Sequence, residues 1–494
     1  MPPLKLQTAR TLKWNTIDRL LTQLIYALVG VVLANILSRK EFGLVGVLLI
    51  FQAFATILVD SGFGAALLRE KNPTQKDYST VFWFNTIVSL LLYALLFLGA
   101  PLIARIFQNQ PELIPLSKVM FLSFVINGLA IVQVNRLMKE MNVKMIAVSN
   151  TIALLAGGIA GIWSALEGYG AWALVWQTVV MAFVKTGILW LTSDWHPAWV
   201  FSRRSLRKVR AVGMSVLSSS MLNTISLNVY NFVIGIFYPP AVLGVYTQAD
   251  KWAKMGSASI SQILMGSFVP LLSKVQDSKP DFDRYLEKTL RFTSFILLPS
   301  MILLVLIAEP LFHLLFADKW DAAIPLFQIL SARGIFIVYI SLFSNYLLAM
   351  GMARSIFRSE FIKDAMIFLA IAATVFFHNL TLLIIGQGVA SVLTWIILIP
   401  VTSKPLRLSV GALLRPVLPF LLLTVLMAAA TILISAILPA PNSFIPSIRL
   451  SAGLDLFIRS FIACITYIAA ARIIRLPELD EAAGYLFGRF RKKA

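Results

Sequence analysis

Ser202-Arg203-Arg204-Ser205-Leu206-Arg207-Lys208-Val209-Arg210 is a polar, strongly basic interruption in an otherwise apolar sequence. Six long hydrophobic spans precede it and the next begins directly after it. Lys and Arg close to span ends are retained on the cytoplasmic side of a membrane and set orientation. The stretch therefore reads as a cytoplasmic hinge loop, 202–211, joining two related halves.

Composition agrees. Of 494 residues 59% are hydrophobic and 13% charged, against about 45–50% and about 25% in soluble domains. Runs of roughly 20 apolar residues, the length needed to cross hydrocarbon as a helix, recur about fourteen times. The short alternating segments of a transmembrane barrel are missing from the pattern. The fold class expected is an all-α membrane protein of about fourteen transmembrane helices. It comprises two six-helix lobes related by a pseudo-twofold axis, 1–201 and 212–403. Two C-terminal helices follow over 404–474, then a basic cytoplasmic tail, 475–494. The eighth span is placed at Ala241–Leu272 and the eleventh at Phe357–Phe377. Lys5, Arg10 and Lys13 lead into a first span too long for a cleavable signal core, so that helix reads as an uncleaved anchor.

With the N-terminus inside, cytoplasmic segments hold 29 of the 43 Lys and Arg, the opposite side holds six and eight lie within spans. This asymmetry places both termini in the cytoplasm. It also accounts for the net charge of +20 without invoking nucleic acid, which is not an expected partner.

The chain repeats itself weakly. Phe42-Gly43-Leu44-Val45-Gly46 near the start of the second span matches Leu243-Gly244-Val245-Tyr246 near the start of the eighth. Ala100-Pro101-Leu102 near the end of the third matches Glu309-Pro310-Leu311 near the end of the ninth. The matches are 201 and 209 residues apart, and both set helix n over helix n + 6. Six being even, this is a parallel repeat with its axis along the membrane normal. In such transporters the substrate path lies between the lobes.

Ionisable groups in hydrocarbon are costly and mark a cavity or a partner. Eight cations fall in spans: Arg19, Lys185, Lys251, Lys254, Arg291, Arg333, Lys363 and Arg459. At 1.5 Å per residue Lys251 and Arg333 lie roughly 15 Å into their helices, too deep to snorkel easily. Lys251 and Lys254 share one face. Asp18 with Arg19 and Glu360 with Lys363 read as simple ion pairs. The remainder suggests a cationic cavity for an anionic substrate, lined by Arg19, Lys251, Lys254, Arg291 and Arg333. Arg suits phosphate through its two-pronged fork, and Lys through compact charge. Asn223, Asn228 and Asn231 are amides at membrane depth suited to sugar hydroxyls or to gluing helices together. Tyr230, Tyr246 and Trp252 are candidates to stack on sugar rings. Asp60 and Asp250 are candidates for coupling to H+ or Na+, with a salt bridge to Lys251 as the competing reading of Asp250. Cys464 is the only cysteine and the three histidines are scattered, so no metal site is expected. No phosphate-binding loop, nucleophile elbow or metallohydrolase motif occurs. No catalytic residue or cofactor is assigned, and the chain reads as a transporter rather than an enzyme.

Several stretches carry a family likeness. They are Glu41-Phe42-Gly43-Leu44, Val59-Asp60-Ser61-Gly62-Phe63-Gly64-Ala65-Ala66-Leu67, Asp77-Tyr78-Ser79-Thr80-Val81-Phe82-Trp83-Phe84-Asn85, Ala100-Pro101-Leu102-Ile103-Ala104, Gly168-Tyr169-Gly170-Ala171-Trp172-Ala173-Leu174, Leu243-Gly244-Val245-Tyr246 and the segment Pro270 to Gln276. Together they resemble the polysaccharide-transporter branch of the multidrug/oligosaccharidyl-lipid/polysaccharide flippase superfamily, the Wzx-type exporters. The likeness covers roughly the first 320 residues. It implies two six-helix lobes plus two helices in the bacterial inner membrane. It implies movement of undecaprenyl-pyrophosphate-linked oligosaccharide between leaflets, with polymerase and chain-length machinery as possible partners. The rival readings are an ion-coupled multidrug antiporter of the same superfamily and a non-transporting scaffold of envelope assembly. An antiporter of cationic drugs calls for an acidic cavity, which the excess of cations disfavours.

Overall fold

Apolar runs buried in lipid have no water to satisfy their backbone, so they close their own hydrogen bonds as helices. The computed structural model describes residues 4–60, 62–439, 441, 445–481 and 484, and among them no strand occurs. The α-helices are α1 (Leu4–Ile36), α2 (Arg39–Asp60), α3 (Phe63–Arg69), α4 (Gln75–Ile106), α5 (Leu113–Met120), α6 (Leu122–Gly128), α7 (Ile131–Lys139), α8 (Val143–Leu166), α9 (Trp172–Leu191), α10 (Arg203–Phe237), α11 (Pro240–Lys274), α12 (Lys279–Leu306), α13 (Ala308–Phe316), α14 (Ile324–Ala349), α15 (Ala353–Thr374), α16 (Leu380–Ser403), α17 (Val410–Leu414), α18 (Leu418–Ile437) and α19 (Ile448–Ile473).

Twelve described segments are long and apolar enough to cross a membrane. The eighth and eleventh expected spans fall on α11 and α15, which are long helices outside that set. Their apolar runs are interrupted by Asp250, Lys251 and Lys254 in one and by Arg354, Arg358, Glu360, Lys363 and Asp364 in the other. Two other spans are segmented. The fourth is divided into α5, α6 and α7, and the ninth breaks at Ile307 between α12 and α13. Many large apolar side chains point outward, among them Leu95, Leu98, Ile159, Phe183 and Phe457, as a lipid-facing surface requires.

The basic stretch is helical, which corrects its reading as a loop. Ser202 is the N-cap of α10, its hydroxyl accepting from the Ser205 amide at 3.2 Å. The segment before it is strapped to α4. Ala198 N–H donates to Ser79 Oγ at 2.9 Å, Trp83 Nε1 to the Ala198 carbonyl at 2.9 Å and Ser202 N–H to Thr80 Oγ1 at 3.0 Å. The N-terminus of α4 is itself closed by a capping box between Thr74 and Asp77. Of the C-terminal tail, residues 482, 483 and 485–494 lie outside the described residues.

Contacts divide the chain after Thr247, inside α11, rather than at the basic stretch. In the first unit α8 packs against α9 and α1, and α10 packs against α2, α3 and α4. In the second, α14 packs on α16 and α12, α15 on α16, and α18 and α13 on α19. One large core there includes Phe282, Leu298, Phe343, Tyr346 and Phe420.

The first unit contains a contact that the repeat anticipates. A Cβ added to Gly43 would stand 1.6 Å from the Pro240 carbonyl oxygen, and one added to Gly244 would stand 2.0 Å from that of Arg39. An offset of 201 residues carries Arg39 onto Pro240 and Gly43 onto Gly244, so the same contact is made twice with partners exchanged. That reciprocity is the signature of a twofold relation. It holds here for the N-terminal ends of α2 and α11, and only glycine lets the backbones meet so closely.

Candidate functional site

In the second unit, charged side chains deep in the apolar runs stand on α11 and α14. On α11 Asp250 is buried and bonds Lys254 Nζ at 2.6 Å. Lys251 is half-buried, its ammonium 5.3 Å from the Trp252 ring centroid. Trp252 is held in turn by Gln248 Oε1 at 3.2 Å and by the edge of Phe316. On α14 Arg333 is half-buried, and its Nε donates to Ser391 Oγ of α16 at 3.0 Å. The Ser391 hydroxyl donates in turn to the Gln387 backbone carbonyl at 3.1 Å. Gly334, next to Arg333, lets α14 approach α11: a Cβ there would be 3.1 Å from Ser257 Cβ. Ser257 lies one turn beyond Lys254. α11 and α14 thus approach at Ser257 and Gly334, with Lys254 one turn before the contact on one helix and Arg333 beside it on the other; Asp250 is the carboxylate paired there with Lys254. For Arg333, a neutral hydroxyl can orient the charge without neutralising it.

The remaining cations have other tasks. Arg291 is not an open anchor. It forms a two-pronged pair with Glu478 and lies over the Phe420 ring at 5.4 Å. Lys288, one turn earlier, pairs with Glu481 at 2.9 Å. These two rungs tie the segment after α19 to α12, so Arg291 is committed within the fold. Arg459 bonds Asp455 and donates to the Leu306 carbonyl at 3.2 Å. It thereby satisfies a backbone oxygen released where α12 breaks before α13. Lys363 pairs with Glu360 as the spacing suggested.

In the first unit Asp18 does not pair with its neighbour Arg19. Asp18 accepts from Asn150 of α8 at 3.3 Å and from Thr22 at 3.4 Å, and its charge acts on Lys185 of α9. Arg19 is exposed on the adjoining face of α1. This three-helix polar cluster was not legible as a unit. Asp18 and Lys185 were visible as intramembrane charges, but the link is Asn150, an amide in the apolar run of α8. Asp60 ends α2 beside Gly64 and Asn135: a Cβ on Gly64 would meet Asp60 Oδ1 at 2.7 Å and Asn135 Nδ2 at 2.4 Å. Asn223 is exposed on α10. Asn228 is half-buried and donates to the Thr224 carbonyl of its own helix at 3.0 Å. Tyr246 is only 2% exposed. It belongs to the close-packed start of α11, which removes it as a sugar-stacking ring. Tyr230 is likewise buried.

A helical, polytopic membrane protein with cations held at mid-helix is a transporter-like architecture rather than an enzyme-like one. Residues 32–325 match the model of the polysaccharide biosynthesis protein family, and the chain belongs to that family. It is 26% identical over 369 residues to the teichuronic acid biosynthesis protein TuaB of Bacillus subtilis, covering 72% of this chain and 73% of that one. It is 26% identical over 348 residues to the succinoglycan biosynthesis transport protein ExoT of Rhizobium meliloti, covering 70% of each. Its fold is similar to that of a solved structure described as lipid II flippase MurJ, inward closed conformation. The TM-score is 0.74 at 13% identity, covering 93% of this chain and 98% of that one.

Proposed function

We propose that the protein is a flippase. It translocates undecaprenyl-pyrophosphate-linked oligosaccharide repeat units across the bacterial inner membrane, for export of a surface polysaccharide. Family membership and the transport named for ExoT support this reading, as does a fold shared with a lipid flippase. The observation that carries it is Arg333. Its guanidinium lies about 14 Å along α14, and its hydrogen bond goes to a neutral hydroxyl. With Nε bonded to Ser391, the terminal Nη groups are the donors we assign to an anionic acceptor. A pyrophosphate is an acceptor of matching geometry. Lys251 supplies a second charge nearby, while Lys254 is partly offset by Asp250.

The transport cycle is alternating access between two lobes, with both termini cytoplasmic. Arg19 and Asn223 are the first-unit groups retained as substrate contacts. Asn228, bonded within its own helix, is a weaker one. Asp60 remains a candidate for coupling to H+ or Na+. Asp250, already paired, couples only if Lys254 releases it. A polysaccharide polymerase acting on the delivered lipid is the expected partner class.

The deciding experiment uses purified protein in liposomes with a lipid-linked oligosaccharide and a leaflet-specific probe. Wild-type protein should move the lipid without any partner. Lys251→Gln and Arg333→Gln should each slow movement about tenfold or more, since each removes a charge-assisted contact. Wild-type rates from an inserted double variant would refute the cationic site. Failure of wild-type protein to move the lipid would favour the scaffold reading.

A further inference from the structure

The first two turns of α10 carry five cations on one outward face. Arg203, Arg204, Arg207, Lys208 and Arg210 are all exposed. Among the described residues none of them enters an ion pair. At roughly 100° per residue they cover about 160° of one helix face. The other face is anchored. Ser205 is buried, and Leu206 packs against the cluster formed by Phe63, Phe82, Val132 and Trp195. The cations are therefore held outward by a helix that cannot roll. One carboxylate, Asp77, lies beneath them: it accepts from the Ser205 hydroxyl and feels the charge of Lys208.

This arrangement is unfavourable in isolation. Cations at a helix N-terminus oppose the helix dipole, and no acidic residue occupies the first turn of α10. Directly before the helix stand exposed aromatics. Trp199 is 88% exposed, with its ring stacked on Trp83 at 4.4 Å, and Phe201 is 49% exposed. Exposed Trp on a membrane protein marks the headgroup level, and basic clusters at that level attract anionic lipid.

We infer that the Trp199–Arg210 segment is a binding surface for anionic phospholipid headgroups of the surrounding bilayer. The aromatic rings insert at the interface and the α10 cations bind the phosphates. The occupant is bulk anionic lipid, and the inference does not depend on which substrate is transported. Charge complementarity argues for it, since anionic headgroups supply the counter-charge that the fold withholds. The strapping of residues 195–202 to α4 means the surface is built before lipid arrives, which lowers the ordering cost of binding.

The test is native mass spectrometry of the full chain in detergent micelles doped with phosphatidylglycerol or phosphatidylcholine. Wild-type protein should retain phosphatidylglycerol at least tenfold over phosphatidylcholine, and the preference should collapse between 50 and 500 mM salt, approximate conditions chosen to shorten screening severalfold. Arg203→Gln/Arg204→Gln and Arg207→Gln/Lys208→Gln should each cut retention about tenfold. The pairs are used because neutralising all five risks altering insertion. A preference that survives both pairs, or that ignores salt, overturns the inference. So does equal retention of the two lipids by wild-type protein, which would leave an acidic protein as the surface's partner. A third arm adds undecaprenyl pyrophosphate at matched charge. If it displaces phosphatidylglycerol at about a hundredth of the latter's concentration, the surface belongs to the transported lipid and the bilayer assignment fails.

Discussion

At the scale of single residues, what distinguishes one intramembrane cation from another is its partner. Arg291 and Arg333 were both expected to line the cationic cavity. The structure gives Arg291 a buried carboxylate, Glu478, and gives Arg333 a serine. The first is a pin and the second an available charge. Removing one member of a buried pair leaves the other charged and desolvated. Arg291→Gln should therefore destabilise the protein by about 3 kcal/mol, read as a lowered melting temperature in detergent. Arg291→Gln/Glu478→Gln should recover most of that loss, because no uncompensated charge remains. A single variant as stable as wild type would show that the pair contributes nothing. The transport effects of Lys251→Gln and Arg333→Gln belong to this scale as well, and Arg333→Lys separates charge from shape. Lys keeps the charge and loses the fork, so it should restore only part of the rate.

Among helices, the informative contact is the one between the starts of α2 and α11. Gly43 and Gly244 each face a backbone carbonyl, which cannot rotate aside as a flexible side chain can. Gly43→Ala or Gly244→Ala must push the two helices apart, at about 3 kcal/mol each. The double variant should cost clearly less than the sum, because one displacement relieves both clashes. Additive losses would mean that the two contacts are independent, contrary to the reciprocal geometry. Elsewhere the helix boundaries follow from local chemistry. Ser202 and Thr74 start helices by capping them, and the break at Ile307 persists because Arg459 takes up a released carbonyl.

For the whole molecule, the number of membrane crossings turns on two helices. Fourteen segments were expected, and twelve meet the apolar criterion among the described residues. The difference lies in α11 and α15, two long helices with charged residues inside their apolar runs. At 35 residues α11 is longer than the hydrocarbon core is thick. If it spans, its two ends face opposite sides. In a Cys464→Ser background, Pro239→Cys and Asp277→Cys should then label from opposite sides with an impermeant maleimide. Labelling of both from one side would place α11 along the surface instead.

Much of this was legible in the chain because lipid imposes a single rule on long apolar runs, and the rule acts on contiguous residues. The all-helical class, the basic stretch and the offset of the repeat all follow from local composition and spacing. The sequence alone determined an all-helical membrane protein, and the family likeness read from it holds over residues 32–325. The fate of each polar group was decided elsewhere. Asp18 meets Asn150, Arg291 meets Glu478 and Arg333 meets Ser391 across 132, 187 and 58 residues of chain. Tyr246 is buried at the start of α11, and the supposed hinge loop is a capped helix whose Leu206 packs against a core. Pairing energies depend on distance in space, which spacing along the chain does not encode; only the tertiary structure could say which charges are spent and which remain.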